Sequence, residues 1–476
     1  MLFNSGEFLV FLPLVLVCYY LLSHKGQNRF LVLASCFFYA SWDWRFIFPL
    51  LFSTTIDYVC AKKMEESVAN DGPQSERRRF LVVSLVTNLG LLGFFKYYNF
   101  FADTLHILLR GVGLDIPVRT LNVILPIGIS FYTFQALSYT IDVYRGQIHA
   151  TKSFWDFFLA VLFFPHLVAG PIQRASNLLA QVVNPRRVTS AQIIDGLHLI
   201  VWGYFKKVFI ADRLAPMVDG FFSASTLSGG EATVAVLAFA IQIYCDFSGY
   251  TDIARGVAKL MGFEFMLNFN LPYFATNPSD FWQRWHISLS SWLRDYLYVP
   301  LGGNRHGEGK TYRNLMLTML LGGLWHGAAW SFILWGFYHG SLLCLHRLAS
   351  PSLNKFAAVL PRGTKLPWLV VRIAFMFTLT CYGWLLFRAN SLSQVGAMTE
   401  VLRRPLDRLP VEAALTVVQL SMPLLAVQLV QYVSGRLDFY RLRAFPRAAN
   451  AALYGTMLYC VLFLSASPQS FVYFQF

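Results

Sequence analysis

Residues 321–330 read LGGLWHGAAW, and this stretch decides how the chain is to be read. His326 stands in the middle of an apolar run, with Gly322, Gly323, Gly327, Ala328 and Ala329 around it. Small residues at that density let helices approach closely, or let a helix break beside a cavity. An ionisable side chain inside a bilayer is costly and faces a pore, a cavity or a reaction site. Imidazole is also the side chain that exchanges a proton near neutral pH. The bland alternative is a histidine satisfied by a neighbouring carbonyl or hydroxyl. Placement alone favours a functional role over it.

The surroundings carry the same signal outward. Of 476 residues, 56% are hydrophobic and only 13% are charged, against about 25% charged in a soluble domain. Mean hydropathy is +0.49. A water-soluble fold would have to hide more apolar surface than its volume allows, and a bilayer resolves that conflict by acting as solvent. Aromatics make up 17% of the chain, suited to lipid-facing walls and interfacial belts. The formal charge of +14 raises nucleic-acid binding as a reading. The basic residues, however, sit in short loops between apolar runs, which the positive-inside rule explains more simply, so no nucleic-acid partner is expected.

Thirteen apolar runs follow one another: 8–22, 30–42, 46–60, 80–95, 121–144, 154–168, 193–211, 232–250, 315–325, 328–345, 370–387, 415–433 and 451–464. Several fall short of the roughly 20 residues that a spanning helix needs and read as broken, tilted or re-entrant pieces. The expectation is an all-α polytopic integral membrane protein with about 11–13 membrane elements. It forms one domain over 1–476, with its motif-bearing core at about 121–346. Lys62, Lys63 and Arg77–Arg79, and then Arg305, Lys310 and Arg313, mark cytoplasmic loops. No Lys or Arg precedes the first run and Lys25 and Arg29 follow it, so the N-terminus is expected on the outer, periplasmic side, and no signal-peptide cleavage site is seen. The seven cysteines are scattered, form no CxxC pair and read as small apolar residues.

Three further stretches could carry chemistry. Residues 280–305, DFWQRWHISLSSWLRDYLYVPLGGNR, look like amphipathic helices at the interface. On one continuous helix Trp282, His286 and Ser290 would share a face, and Asp280 would pair with Arg284; composition alone slightly favours a plain interfacial helix. Residues 244–256, YCDFSGYTDIARG, place Asp246 and Asp252 at the end of an apolar run. Six residues apart, they do not share a helical face, so structural ion pairing is favoured over an acid/base dyad, with Arg255 spaced to pair with Asp252. Residues 163–174, FFPHLVAGPIQR, carry a packing or hydrogen-bonding His166 in a stretch broken by Pro165, Gly170 and Pro171. His198, His339 and His346 match no metal-ligand spacing, and there is no P-loop, Rossmann fingerprint or GxSxG.

These motifs together resemble the membrane-bound O-acyltransferases, and most closely their alginate O-acetyltransferase branch. The resemblance starts at residues 1–15, MLFNSGEFLVFLPLV, and runs through 125–146, 163–174, 244–256, 268–305 and 320–340 to the closing FVYFQF at 471–476. It implies a distorted ring of helices around a thinned centre, reached from both faces. The family's intramembrane catalytic histidine falls on His326 and its second motif residue on His286. The implied reaction moves acetyl from cytoplasmic acetyl-CoA, a substrate and not a bound cofactor, across a bacterial inner membrane. The acetyl group goes to an exported polysaccharide: alginate, cellulose, peptidoglycan or another glycan. A periplasmic SGNH/GDSL-type partner receives and delivers it. Arg284, Arg294, Arg305, Lys310 and Arg313 are candidates for the CoA phosphates, although ordinary positive-inside topology accounts for them equally well. Trp282 and Trp325, beside the two histidines, join the substrate-binding candidates. The alternatives are D-alanyl transfer to teichoic acid within the family, a transporter or flippase for an acyl or glycan precursor, and a passive membrane scaffold.

Overall fold

Where no water reaches the backbone, a helix is the element that satisfies its own N–H and C=O groups. A computed structural model of the chain describes residues 1–438 and 446–474; Gln475 and Phe476, which end the closing motif, lie outside the described residues. Among the described residues every regular element is helical, as the composition predicts. Four helices are long and apolar enough to cross a membrane: Gln74–Gly111, Gly229–Leu260, Lys365–Arg388 and Val411–Ser434. Gly6–Leu21 and Ala448–Phe463 are apolar but shorter. Of the remaining apolar runs, some lie in long continuous helices outside that group, such as Ile47–Ala69 and Trp330–Val359, where a broken piece was expected, and others in short pieces such as Phe154–Leu162 and Phe164–Leu167.

Two runs differ from their expected form. Residues 121–144 are helical only from Ile129. Pro126 disfavours the helical region for Leu125, and Gly128 turns into the left-handed region at φ 77°. A Cβ on Gly128 would stand 2.6 Å from the Leu167 carbonyl oxygen, so the chain needs glycine there. Residues 193–211 divide into the helix Ser190–Tyr204 and a π-helical stretch, Phe205–Ala211.

The chain falls into two compact units, Met1–Ile200 with Ile253–Met266, and Val201–Asp252 with Leu267–Phe476. The first is joined internally by buried polar contacts. Asp57 on the helix Ile47–Ala69 accepts hydrogen bonds from Ser84 Oγ (2.5 Å) and Asn88 Nδ2 (2.8 Å) on the next helix. In a bilayer such contacts hold helices together because the groups have no water to turn to. His166 packs in this unit with Nε2 3.3 Å from the Val161 carbonyl oxygen, the structural role expected of it. The second unit contains both motif histidines. Its central feature is an antiparallel hairpin of the helices Glu308–His326 and Trp330–Val359. At Gly323 and Gly336 the two backbones approach so closely that any side chain would collide with the opposite helix.

Candidate functional site

The glycines of residues 321–330 place His326. The first hairpin helix ends at His326 and Gly327 follows in extended conformation; glycine is needed there because the Phe332 ring occupies the space a Cβ would take. His326 is thereby the last helical residue, and its ring lies among four others. Trp325 and Trp335 have ring centroids 5.0 Å away, Phe387 5.3 Å and Tyr473 5.5 Å.

His286 reaches the same place by a different route, and here the continuous-helix reading fails. The helix Pro278–Arg284 stops, Trp285 is extended, and His286 takes up φ 44°, ψ 52° before a second helix starts at Ile287. Trp282, His286 and Ser290 therefore do not share a helical face. The break is held by residues 268–270. Asn268 O accepts from Ile287 N (3.0 Å), Asn268 Oδ1 from Ser288 N (3.1 Å) and Ser288 Oγ (3.0 Å), and Asn270 N donates to Arg284 O (2.9 Å). A non-glycine residue in the left-handed region costs of order 1–3 kcal/mol and persists only where its surroundings impose it. The turn seals His286 away from solvent, with Phe247 at 4.7 Å and Trp325 at 5.9 Å, and sets its ring centroid 6.3 Å from that of His326.

A cavity of about 550 Å³ runs to His326. Arg294 and Tyr298 line it at one part, Thr318, Met319 and Gly322 along the hairpin, and Trp282, Trp335 and His326 at another. His286 and Trp325 are absent from its wall. Of the five basic candidates only Arg294 lines the cavity; its Nε also bonds Asp295 at 2.7 Å. Arg284 forms the expected ion pair with Asp280 at 2.6 Å. Arg313 bonds Asn314 Oδ1, and Arg305 and Lys310 lie outside the cavity lining. One of the five basic candidates thus lies on this cavity.

A second buried assembly fixes the C-terminal segment. The π-helical stretch turns two consecutive lysines inward. Lys206 pairs with Asp252 (2.7 Å) and bonds Ser248 Oγ (2.9 Å). Lys207 pairs with Asp212 (2.8 Å) and with Asp246, and donates to the Gln469 carbonyl oxygen (3.2 Å). Asp246 Oδ2 accepts from Val472 N at 2.6 Å. Both carboxylates of the 244–256 motif thus serve structural pairs, as expected. Asp246 anchors the turn Val472–Phe474, whose Tyr473 ring lies 5.5 Å from His326 and 6.4 Å from His286. Sequence reasoning gave no role to Lys206, Lys207 or Tyr473. Two adjacent lysines inside the apolar run 193–211 were the available signal, since charges there need partners.

With this geometry in view, the comparisons with other proteins converge. The family model described as MBOAT, membrane-bound O-acyltransferase family, matches residues 151–387, which include both histidines and the cavity wall. A protein of Pseudomonas putida named "Probable alginate O-acetylase" is 40% identical over 504 residues, covering all of both chains. Its namesake in Pseudomonas aeruginosa is 44% identical over 405 residues, 84% of this chain and 75% of its own. A peptidoglycan O-acetyltransferase of Helicobacter pylori is 38% identical over 425 residues, 82% of this chain and 78% of its own. This all-α, multi-pass membrane protein is an acyltransferase and belongs to the membrane-bound O-acyltransferase family.

Proposed function

We propose that the protein moves acetyl groups from cytoplasmic acetyl-CoA, through the cavity that ends on His326, for the O-acetylation of an exported polysaccharide at the bacterial inner membrane. The observation that carries this reading is the cavity itself, which connects a basic residue, Arg294, with a histidine inside an apolar hairpin. Support for acetyl as the group and a glycan as the final acceptor comes from relatives named for O-acetylation of alginate and peptidoglycan. Basic residues at 62–79 and 305–313, which all but Arg305 stand within helix ends and not in the loops expected, support a cytoplasmic donor side and a periplasmic N-terminus.

In this mechanism the thioester lies against His326. A thioester is already activated, and the obstacle is that a neutral hydroxyl is a weak nucleophile. Neutral His326 takes the hydroxyl proton as the oxygen attacks the thioester carbonyl; the C–O bond forms, the C–S bond breaks, and the imidazolium returns the proton to the leaving CoA sulfur. General-base help of this kind contributes about 10²–10⁴-fold. His286 acts through its ring contact with His326, steadying charge or sharing its proton, because it does not line the cavity. Arg294 meets donor phosphate at the cavity and Trp282 supplies an aromatic wall. The attacking hydroxyl belongs to a periplasmic SGNH-type partner, which passes acetyl to the polymer.

The test is transfer from radiolabelled acetyl-CoA by the membrane-reconstituted protein. His326→Ala is expected to lose at least about 10²-fold in kcat while remaining folded. A folded variant with wild-type kcat removes His326 from the chemistry.

A further inference from the structure

A second cavity, away from the histidines, has the makings of a ligand site. A groove of about 520 Å³ runs between the helices Trp330–Val359 and Lys365–Arg388. Its walls are mostly aliphatic and aromatic, including Leu342, Leu345, Phe375 and Leu379. Leu345 and Phe375 are 61% and 65% exposed, on flanks that face lipid if these helices span the bilayer. Into this apolar groove come Arg372 and His346.

Arg372 is the unexplained group. It lies seven residues into a helix long and apolar enough to span, or about 10 Å along its axis. Its polar contacts are both to Thr276, Nη2 to Oγ1 at 3.0 Å and Nε to the carbonyl oxygen at 3.4 Å. Among the described residues no carboxylate lies within ion-pair distance of it. A guanidinium has five N–H donors, and a cation at membrane depth needs an anion or water. The two protein contacts leave donors for an external anion, and the apolar walls beside it would hold a hydrocarbon chain.

The position in the hairpin says which leaflet supplies it. Arg347, next to His346, pairs with Glu308 at 3.3 Å, so this part of the groove lies beside the start of the helix Glu308–His326, which carries the basic residues Lys310 and Arg313 just after Arg305. That basic helix start is cytoplasmic by its charge, and the cytoplasmic leaflet is where anionic phospholipids attract basic residues.

We infer that this groove is a binding site for an anionic phospholipid of the cytoplasmic leaflet, its phosphate on Arg372 and one acyl chain between Leu345 and Phe375. A short chain of hydrogen bonds runs from Arg372 toward the first cavity. Thr276, which Arg372 holds, donates its backbone N–H to Asp280 Oδ2 at 2.9 Å, and Asp280 belongs to the short helix that carries Trp282 of the first cavity.

Native mass spectrometry of the full chain, released from nanodiscs of equal phosphatidylglycerol and phosphatidylcholine, tests this. Retention of phosphatidylglycerol over phosphatidylcholine is expected at about fivefold, the worth of one cation facing an anionic headgroup. Arg372→Gln should abolish the preference and Arg372→Lys should keep most of it. Ala349→Trp, which fills the groove at an exposed position without touching the charge, should reduce retention of the lipid itself. Excess inorganic phosphate should not compete, whereas a long-chain alkyl phosphate should. Equal retention of the two lipids, an undiminished preference in Arg372→Gln, unchanged retention in Ala349→Trp, or displacement by inorganic phosphate would each overturn the inference.

Discussion

The two histidine segments of the second unit place their rings 6.3 Å apart by opposite means. In residues 321–330 the backbone is ordinary: a helix ends, glycines admit a returning helix, and His326 remains on a cavity wall. In residues 280–305 the backbone is strained: the chain turns through a left-handed histidine held by Asn268, and His286 ends fully enclosed. The difference teaches that a ring can lie near a cavity without being reachable from it. Access follows from what the neighbouring backbone leaves empty: both segments contribute walls to the cavity, but only His326 of the two rings lies on it.

Substitutions can break this comparison or sharpen it. The largest effect is expected between the two rings. His326→Ala should lower kcat by about 10²–10⁴-fold, while His286→Ala, acting from behind, should cost about tenfold on the same scale. Single-turnover acetyl transfer measures both, and equal losses would mean that cavity access does not separate their roles. Next is the buried lysine that ties the C-terminal segment to the unit. Lys207→Met strands Asp212 and Asp246, and breaking a buried pair by removing one partner costs about 3–5 kcal/mol. A lowered Tm in detergent should report it, and an unchanged Tm would mean the carboxylates find other partners.

Smaller still is the steric requirement of the hairpin. Gly327→Ala should destabilise by about 1–3 kcal/mol through overpacking against Phe332. Gly309→Ala on the same helix, where an added Cβ meets nothing within 4 Å, should leave Tm unchanged or slightly raised. A matched pair of Tm values would show that the Phe332 contact yields freely. The smallest effect concerns the donor. Arg294→Gln should raise the KM for acetyl-CoA a few-fold, on the order of 1 kcal/mol for one partly solvated charge, whereas the double variant Arg305→Gln, Lys310→Gln should leave KM alone. A KM that follows the double variant instead would move the donor's phosphates to the loop and return these residues to the role first expected of them.

Legibility in the sequence divides along the same line. Apolar composition, helix class, the small residues packed around His326, the Asp280–Arg284 pair and the structural use of Asp246 and Asp252 could all be read from residues near one another in the chain. Such features depend on local spacing and on the cost of charge in hydrocarbon, both of which a linear pattern records. Where helix reading failed, the causes differ: at residues 121–128 Pro126 and Gly128 are local breakers inside the apolar run, whereas at His286 the competing contacts come from outside the segment, from Asn268 and Asn270. Periodicity assumes that a helical run continues until a local breaker stops it, and His286 is no local breaker.

The amino-acid sequence alone thus determined that this is a helical membrane protein with an ionisable ring in an apolar run rich in small residues, because hydropathy and small-residue spacing act over a few turns of chain. Only the tertiary structure decided that His326 meets a cavity while His286 does not, that Arg294 alone of five basic candidates lines it, and that Tyr473 arrives from the C-terminal segment on the Lys207–Asp246 anchor. Enclosure and convergence belong to surfaces built from distant residues, and no local pattern encodes which of them will meet.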